Sequence, residues 1–302
     1  MVTTLVTGGS GFVGKNLKTQ NPDWVYINSK DFDLKDLECC LAMLDKFKPD
    51  VVIHLAGRVG GIKDNLENPA SFYYDNITIN TNVVHACYLK KVSRLIASLS
   101  TCAFPDNLKV YPFREEDIFL GPPTKSNFSY GYAKIALLVQ INAYRKQYGV
   151  NYSTFSPSNI YGPFDNFSSD KSHFVPAMIR KLISAKESSE VTFWGSGRPL
   201  RQQLYVEDLV EILPKLINLD YGEQPIIISP NENLSIKAMI DICLSILNKD
   251  IRVTFNNKDD GQFRKDGSNN NLKKLIGDFK FTTFEFGLRK TIDWYLNRKS
   301  SL

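Results

Sequence analysis

A tyrosine and a lysine four residues apart, Tyr130 and Lys134, have the types and spacing of a proton-donating pair. On a helix, side chains four residues apart lie on one face, one turn from each other. A tyrosine has an ordinary pKa near ~10, so a neighbouring ammonium is needed for its hydroxyl to serve a carbonyl that receives hydride. The same spacing occurs on a predicted strand and in the C-terminal tail, but only this pair opens a predicted helix after a loop. The pair therefore indicates carbonyl-reduction chemistry.

Polar residues follow the predicted strand that precedes this helix. The strand Arg94–Ser98 runs into the sequence Leu-Ser-Thr-Cys, whose second member is Ser100. Strands of α/β proteins carry their binding and chemical groups at this carboxyl edge of the sheet. Ser100 is therefore the natural second hydrogen-bond donor, beside Tyr130, to a substrate carbonyl.

A glycine-rich turn between the first strand and the first helix indicates a dinucleotide site. The strand Thr4–Thr7 leads directly into Gly-Gly-Ser-Gly-Phe-Val-Gly. Such glycines permit a tight turn, a close approach to a pyrophosphate and close packing of helix on strand, and the helix N-terminus offers N–H groups to the phosphates. The strand–turn–helix context makes the signal specific. The predicted cofactor contacts are Gly8, Ser10, Gly11, Phe12, Val13, Gly14, Ser29, Lys30, Leu55, Ala56, Gly57, Lys134, Pro157, Asn159 and Ile160.

The end of the second predicted strand indicates which dinucleotide is used. NAD enzymes usually place an acidic residue there, which accepts a hydrogen bond from the ribose 2′-hydroxyl. Here the strand ends in Asn28, Ser29 and Lys30, and the hydroxyl and the ammonium suit a 2′-phosphate. NADP(H) is therefore the predicted cofactor, and Asp31, the next residue, leaves NAD as the alternative.

Short apolar runs alternate with helical patterns along the first half of the chain, which is typical of a parallel sheet covered by helices on both faces. The predicted strands are Thr4–Thr7, Trp24–Asn28, Val51–Leu55, Arg94–Ser98 and Tyr152–Ser156, and the predicted helices are Val13–Gln20, Cys39–Phe47, Ile77–Lys90 and Tyr130–Tyr148. We therefore predict an α/β fold with a doubly wound parallel sheet of the Rossmann type.

The second half of the chain has longer loops and several prolines, and its predicted helices are Val175–Ala185, Val206–Leu219 and Ser235–Leu247. We expect residues 1–162 to form the dinucleotide-binding domain, with a segment near 202–230 returning to it. Residues 163–302 are expected to form a smaller substrate-binding portion. The polar stretch Asn256–Asn271 is predicted to be either a surface loop or a segment that orders over ligand.

The composition argues against several other classes of protein. The five cysteines are odd in number and form no Cys-x-x-Cys pair, which argues against a disulfide framework or a metal site and favours a reducing cytoplasm. The formal net charge of +5 is modest and spread out, whereas nucleic-acid binding needs a concentrated basic face. No stretch approaches the ~20 continuous apolar residues of a membrane span, and the N-terminus lacks the pattern of an export signal. We therefore expect a cytoplasmic enzyme with no metal, nucleic-acid or membrane partner.

Three longer segments are more specific than these motifs. They read His-Leu-Ala-Gly-Arg-Val-Gly-Gly-Ile from His54, Ser-Leu-Ser-Thr-Cys-Ala-Phe-Pro from Ser98, and Ser-Asn-Ile-Tyr-Gly-Pro-Phe-Asp-Asn-Phe from Ser158. With Ser-His-Phe-Val-Pro from Ser172 and Trp-Gly-Ser-Gly from Trp194, the chain resembles GDP-L-fucose synthases over nearly its whole length. The glycine loop and Tyr-x-x-x-Lys are typical of the whole superfamily, so the resemblance implies a fold of the extended short-chain dehydrogenase type. Val-Gly-Gly-Ile, Ser-x-Cys and Ser-His-x-x-Pro are typical of this branch.

The resemblance implies NADPH-dependent 3,5-epimerisation and 4-keto reduction of GDP-4-keto-6-deoxymannose to GDP-L-fucose at one site. The 4-keto group acidifies the protons at C3 and C5, since the carbanion delocalises into an enolate. The resemblance implies that Cys102 and His173 form the acid/base pair, because thiol and imidazole both titrate near working pH. It gives the reductase roles to Ser100, Tyr130 and Lys134.

The resemblance also implies a set of substrate contacts, namely Asn159, His173, Lys181, Trp194, Arg201 and Lys265. Trp194 could stack on the guanine or wall the sugar, and Arg201 could clamp the diphosphate. Two positions depart from the pattern of the family. Gly57 stands where alanine is usual, and Lys181 stands where arginine is frequent, which loses bidentate phosphate geometry. Both departures leave room for an altered sugar.

Three alternative functions share part of this pattern. A 4-keto reductase with weak or absent epimerisation, acting on a related GDP-4-keto-6-deoxy sugar such as a GDP-6-deoxy-heptose, keeps the fold and the cofactor. A UDP-sugar 4-epimerase has no need of the Ser-x-Cys and His pair. A regulatory protein with a dead site is expected to lose at least one of Ser100, Tyr130 and Lys134, and all three are present. Members of the family are commonly homodimers formed through helices beside the active site, so the resemblance also implies a homodimer.

Overall fold

A six-stranded parallel sheet forms the centre of the computed structural model, which describes residues 2–168, 172–258 and 260–299. The strands are β1 (Thr4–Thr7), β2 (Val25–Ile27), β3 (Val51–His54), β4 (Arg94–Ser98), β5 (Asn151–Pro157), β6 (Asn159–Tyr161), β7 (Glu190–Phe193), β8 (Leu200–Arg201), β9 (Gln203–Tyr205), β10 (Ile226–Ile228), β11 (Leu234–Ser235), β12 (Arg252–Phe255) and β13 (Arg264–Lys265). The central sheet has the order β10-β5-β4-β3-β1-β2, and all its neighbouring strands run parallel.

Helices cover both faces of this sheet. They are α1 (Phe12–Gln20), α2 (Leu37–Phe47), α3 (Ile62–Glu67), α4 (Pro69–Leu89), α5 (Phe128–Tyr148), α6 (Phe174–Ser184), α7 (Val206–Ile217), α8 (Ile236–Leu247), α9 (Asn270–Ile276) and α10 (Phe284–Lys299). One face packs against apolar side chains of α2, α4 and α5, and the other against those of α1, α7 and α9. The predicted α/β fold with a doubly wound parallel sheet is therefore confirmed.

Helix α4 begins eight residues before the predicted start at Ile77, at Pro69. Proline is favoured at a first helical position, because its missing N–H would have no partner there. The added turns bury Phe72 and Asn76. The Asn76 side chain donates hydrogen bonds to the backbone carbonyls of Phe72 and Arg58, at 2.7 and 3.0 Å. A buried polar residue breaks the apolar periodicity, so the pattern understates the length of the helix.

A third core cluster lies beyond the central sheet, among α6, α8, α10 and the two-stranded parallel sheet β12-β7. A short three-stranded sheet, β11-β8-β13, lies beside it. The polar stretch Asn256–Asn271 supplies β13, so the prediction of a simple surface loop is wrong for its second half. Asp266 and Ser268 are buried there, and their backbone groups bond to the N–H and carbonyl of Phe113 at 2.9 and 2.7 Å. These backbone hydrogen bonds keep Asp266 and Ser268 buried, although the polar composition of the stretch predicts an exposed loop.

Within the described ranges, none of the helices combines the length and apolar character that crossing a bilayer requires.

Candidate active site

A cleft of about 1560 Å³ opens at the carboxyl ends of the central strands. Residues after β1, β3, β4 and β5 form its floor, and residues of the C-terminal half, including Trp194 and Lys265, form its opposite wall. Ligands of open α/β sheets bind at this edge, so the cleft has the expected position for a dinucleotide and a substrate.

The glycine turn after β1 has the geometry that a pyrophosphate needs. Gly8 has a φ of +74°, and a Cβ there would lie 2.9 Å from the backbone nitrogen of Ala56. A Cβ on Gly14 would lie 2.4 Å from the carbonyl oxygen of Gly8. Glycine is therefore required for the turn and for the close packing of α1 on β1. The predicted cofactor residues that line the cleft are Gly8, Ser10, Gly11, Phe12, Val13, Gly14, Ser29, Leu55, Ala56, Gly57, Pro157, Asn159 and Ile160.

The loop after β2 arranges its basic residues differently from the sequence-based expectation. Ser29 lines the cleft, whereas Lys30 does not, and the Lys30 N–H donates to the side-chain oxygen of Asn28 at 2.9 Å. Lys35 and Arg58, which the sequence analysis did not single out, also line the cleft, and both pair with Asp75, at 3.8 and 3.2 Å. They were missed because the turn that brings Lys35 to the cleft depends on local hydrogen bonds rather than on a motif.

Tyr130, Ser100 and Lys134 meet at the junction of β4 and α5. Tyr130 lines the cleft and is 8% exposed, while Lys134 lies behind the wall, with its ammonium 5.8 Å from the centre of the Tyr130 ring. That ammonium donates to the carbonyl of Ser98 at 2.8 Å, and burial lowers the pKa of Lys134 to about 8. Burial, and then the charge of Cys102, raise the pKa of Tyr130, against a lowering hydrogen bond with Ser100. The Tyr130 hydroxyl is thus kept protonated and can act as a hydrogen-bond donor.

Cys102 lies two residues after Ser100 in a short 3-10 turn and lines the same cleft. Its thiol is 2.9 Å from the ammonium of Lys265. Burial alone would raise the pKa of Cys102. The charge of Lys265, with hydrogen bonds from Lys265, Ser100 and Asn127, outweighs that effect and holds the pKa below its ordinary value. The side chain is therefore suited to act as a thiolate base.

His173 stands immediately before α6, with its side chain accessible from the cleft. Its backbone is close to the loop after β3, since a Cβ on Gly61 would lie 2.9 Å from the carbonyl oxygen of Ser172. Loss of water around the ring, and then the charge of Lys265, lower the pKa of His173. The structure thus brings a thiol and an imidazole to one cleft, with a shared ammonium.

His54, by contrast, has only structural contacts. Its ring nitrogens bond to the Thr7 hydroxyl at 2.8 Å and to the Asn80 amide oxygen at 3.1 Å. Burial, and then the charge of Lys134, lower the pKa of His54 to about 3. The residue joins β1, β3 and α4 as a neutral ring.

The predicted nucleotide-sugar residues divide into two groups. Asn159, Trp194, Arg201 and Lys265 line the cleft. Trp194 is 63% exposed, and the Arg201 guanidinium donates to the carbonyl of Gln262 at 2.7 Å. Lys181 does not line the cleft, since its ammonium donates to the carbonyl of Thr192 and lies over the Phe193 ring.

Two other polar residues of the cleft were not singled out from the sequence. Asn127 is part of a short turn before α5 and bonds to the Cys102 thiol. Asp165 has a buried carboxyl whose pKa burial raises to about 7. Neither has a spacing that marks a site, although Asp165 belongs to the segment whose sequence resembles the family.

The comparisons with known proteins agree with this geometry. Residues 4–228 match the NAD dependent epimerase/dehydratase family. The chain is 37% identical to the GDP-L-fucose synthase of Dictyostelium discoideum over 98% of this chain and 95% of that one. It is 37% identical to the probable GDP-L-fucose synthase of Drosophila melanogaster over 98% of each chain. The crystal structure of a GDP-L-fucose synthetase from Naegleria fowleri bound to NADP has a TM-score of 0.89 and 33% identity, covering 99% of this chain and 94% of that one.

Proposed function

The chain belongs to the NAD dependent epimerase/dehydratase family and, within it, to the GDP-L-fucose synthases, and on this premise we propose its reaction. The protein converts GDP-4-keto-6-deoxymannose to GDP-L-fucose by 3,5-epimerisation and NADPH-dependent 4-keto reduction. The observation that carries this proposal is the position of Cys102, Tyr130 and His173, which line the same cleft as the glycine turn.

The residues present fit NADP(H). The glycine turn leaves no space for side chains where the pyrophosphate must approach, and α1 begins directly after it. Ser29 and Lys35 supply a hydroxyl and a cation in the stretch that follows β2, which suit a 2′-phosphate. When bound, NADPH supplies the hydride for C4 of the sugar.

The thiol and imidazole account for the epimerisation. The Cys102 thiolate removes a proton from a carbon next to the keto group, and the electron pair passes to the keto oxygen as an enolate. Hydrogen bonds from Ser100 and Tyr130 stabilise the negative oxygen, as an oxyanion hole does. His173, in its protonated form, donates a proton to the opposite face of the same carbon, which inverts the centre and leaves a thiol and a neutral imidazole that exchange their protons with water.

Reduction uses the same oxygen. As hydride reaches C4, the keto oxygen becomes an alkoxide and takes the proton of the Tyr130 hydroxyl. The ammonium of Lys134, one helical turn away, stabilises the phenolate that remains. Ser100 keeps the oxygen in place with its own hydrogen bond.

We also propose that the enzyme is a cytoplasmic homodimer that pairs through α4 and α5. These helices pack side by side on the central sheet and leave apolar side chains on their outer faces. Tyr74 is 63% exposed, Val139 is 51% exposed and Tyr132 is 38% exposed. A second copy would cover these side chains, and sedimentation velocity of the Val139→Glu variant tests the pairing.

A turnover assay in heavy water tests the proposed reaction. The enzyme is incubated with GDP-4-keto-6-deoxymannose and NADPH, and deuterium is located in the product by NMR. Oxidation of NADPH with label at both C3 and C5 is the expected result. Oxidation without label would leave a simple 4-keto reductase, and the absence of oxidation would direct the search to a GDP-4-keto-6-deoxy-heptose.

A pair of cysteine variants assigns the base. In Cys102→Ser the exchange at C3 and C5 should fall at least about a hundredfold, because a serine hydroxyl is a far weaker acid than a thiol and supplies almost no anion. Cys39→Ser, which changes a partly exposed thiol on α2, serves as the matched control. Exchange that survives in Cys102→Ser at the rate of this control would place the base elsewhere.

A further inference from the structure

Lys265 is an ammonium with an unusual partner. Its Nζ lies 2.9 Å from the Sγ of Cys102. The carboxylate nearest in sequence, Asp266, pairs with Arg264 at 2.6 and 2.9 Å. Among residues 2–168, 172–258 and 260–299, Lys265 forms no ion pair with a carboxylate. Within these ranges, the thiol of Cys102 is placed to balance this charge as a thiolate.

The strand that carries Lys265 is held on both sides. Within β13, Lys265 is in register with Arg201 of the parallel neighbour β8. The residues that follow are fixed to Phe113 by two backbone hydrogen bonds, and the N–H of Gly267 donates to the side chain of Gln202 at 2.9 Å. This backbone therefore places the ammonium at the thiol, although the two residues lie 163 positions apart.

The other groups near the thiol of Cys102 are less suited than Lys265 to stabilise its negative charge. Ser100 and Asn127 form hydrogen bonds with it, and neither carries a charge. The guanidinium of Arg201 feels the charge of Cys102, but its N–H groups donate to the backbone carbonyls of Leu200 and Gln262. The charge of Cys102 also acts on the hydroxyl of Tyr130, and the charge of Lys265 acts on the ring of His173.

We propose that Lys265 is the positioning residue that keeps Cys102 as a thiolate, so that this side chain is a proton acceptor before substrate binds. Lys265 acts through Cys102, rather than only as a contact for the diphosphate. The lowered pKa of Cys102, of which the charge of Lys265 is a cause, agrees with this role. The consequence for epimerisation rests on the proposed function, whereas the state of the thiol does not.

Alkylation of the free protein tests the state of the thiol without any substrate. The rate at which iodoacetamide modifies Cys102 is measured between pH 5 and 10 by mass spectrometry of the peptide that contains it. The midpoint should lie below the value of about 8.5 that an ordinary thiol has. A midpoint at or above that value in the unaltered protein would overturn the proposal, whatever any variant does.

Three variants then assign the effect to the ammonium. An opposite charge at this distance shifts a pKa by about 1–3, so Lys265→Met should slow the alkylation of Cys102 about tenfold or more at pH 7. Lys265→Arg keeps the charge and should restore most of the rate. Lys237→Met, which removes an exposed ammonium paired with Asp241 on α8, should leave the rate unchanged. Equal rates in Lys265→Met and Lys237→Met would show that Lys265 does not set the state of the thiol.

Exchange kinetics separate this role from substrate binding. If Lys265 acts through Cys102, the pH profile of exchange at C3 and C5 in Lys265→Met should move upward with the alkylation midpoint, and Lys265→Arg should reverse the shift. A higher KM with an unchanged profile would instead indicate a diphosphate contact and overturn the role. Should the protein prove inactive on this sugar, the alkylation result still decides the state of Cys102.

Discussion

The pH dependence of NADPH use should reveal the charge of Lys134. Burial lowers the pKa of Lys134 to about 8, although its ammonium donates to the carbonyl of Ser98. One pH unit above a pKa, about a tenth of the group remains protonated. The ratio kcat/KM for NADPH reports the groups of the free enzyme. We therefore expect this ratio to fall about tenfold between its plateau and pH 9, because the ammonium that serves the cofactor and Tyr130 is lost.

Steady-state oxidation of NADPH at pH 6 to 10 measures this decline, and two variants identify its origin. Lys134→Arg keeps its charge over the whole range, so the decline should disappear even if the plateau is lower. Cys102→Ser removes another group of the cleft whose pKa is lowered, and the decline near pH 8 should remain. A flat profile in the unaltered enzyme, or the same decline in Lys134→Arg, would refute the assignment.

Stability should change in the opposite direction over the same range. The pKa of about 8 in the folded protein lies below the ordinary value of 10.5, so the folded state binds fewer protons than the unfolded state between these values. The cost of burying the charged Lys134 is present in full below about pH 8 and is relieved as the pH rises towards 10.5. Its contribution to the free energy of unfolding therefore rises, and circular dichroism at each pH distinguishes lost catalysis from unfolding.

Three further substitutions test other parts of the structure. Tyr130→Phe should slow NADPH oxidation about 10²–10⁴-fold, the usual effect of losing a general acid, while the Kd for NADPH changes little; an unchanged rate would remove its role as donor. Gly14→Ala places a Cβ 2.4 Å from a backbone oxygen of the glycine turn, so the Kd for NADPH should rise about tenfold or more. Gly121→Ala is the control, because the nearest contact of its Cβ is at 3.4 Å, and it should not alter this Kd. Arg94→Met should lower the free energy of unfolding by roughly 3 kcal/mol, because the buried Arg94 guanidinium donates hydrogen bonds to carbonyls at the end of α7. Urea titration measures this loss, with the exposed Arg289→Met variant as the control.

Periodicity predicted the strands of the first half closely because these strands are buried on both faces. β1 and β4 begin and end at the predicted residues, and β3 ends one residue early. The same reasoning placed the start of α4 eight residues late, because a buried Asn76 interrupts the apolar pattern. The sequence pattern therefore predicts the burial of apolar residues well. It predicts the burial of polar residues poorly, because that burial depends on hydrogen bonds.

The glycine turn lies on the cleft as the sequence analysis expected, whereas the loop after β2 presents Lys35 rather than Lys30 to it. The glycine turn requires residues without side chains, and these glycines are visible directly in the sequence. The loop after β2 depends on a hydrogen bond between the N–H of Lys30 and the side chain of Asn28, which directs the chain so that Lys35 reaches the cleft. No propensity indicates which of two nearby lysines a loop will present to a ligand.

On the proposed assignment, the two chemical steps depend on different stretches of the chain. Ser100, Tyr130 and Lys134 belong to the unit of β4 and α5, so the residues proposed for reduction lie together in the first half of the chain. The thiolate needs Lys265, which arrives on a strand fixed to Phe113, where a Cβ on Gly267 would lie 2.8 Å from that ring. A small displacement of this strand would therefore weaken proton transfer at C3 and C5 and leave hydride transfer at C4 intact. The same scaffold can thus lose epimerisation without losing any of its reductase residues. For this reason the deuterium label, rather than NADPH oxidation, decides between the two activities.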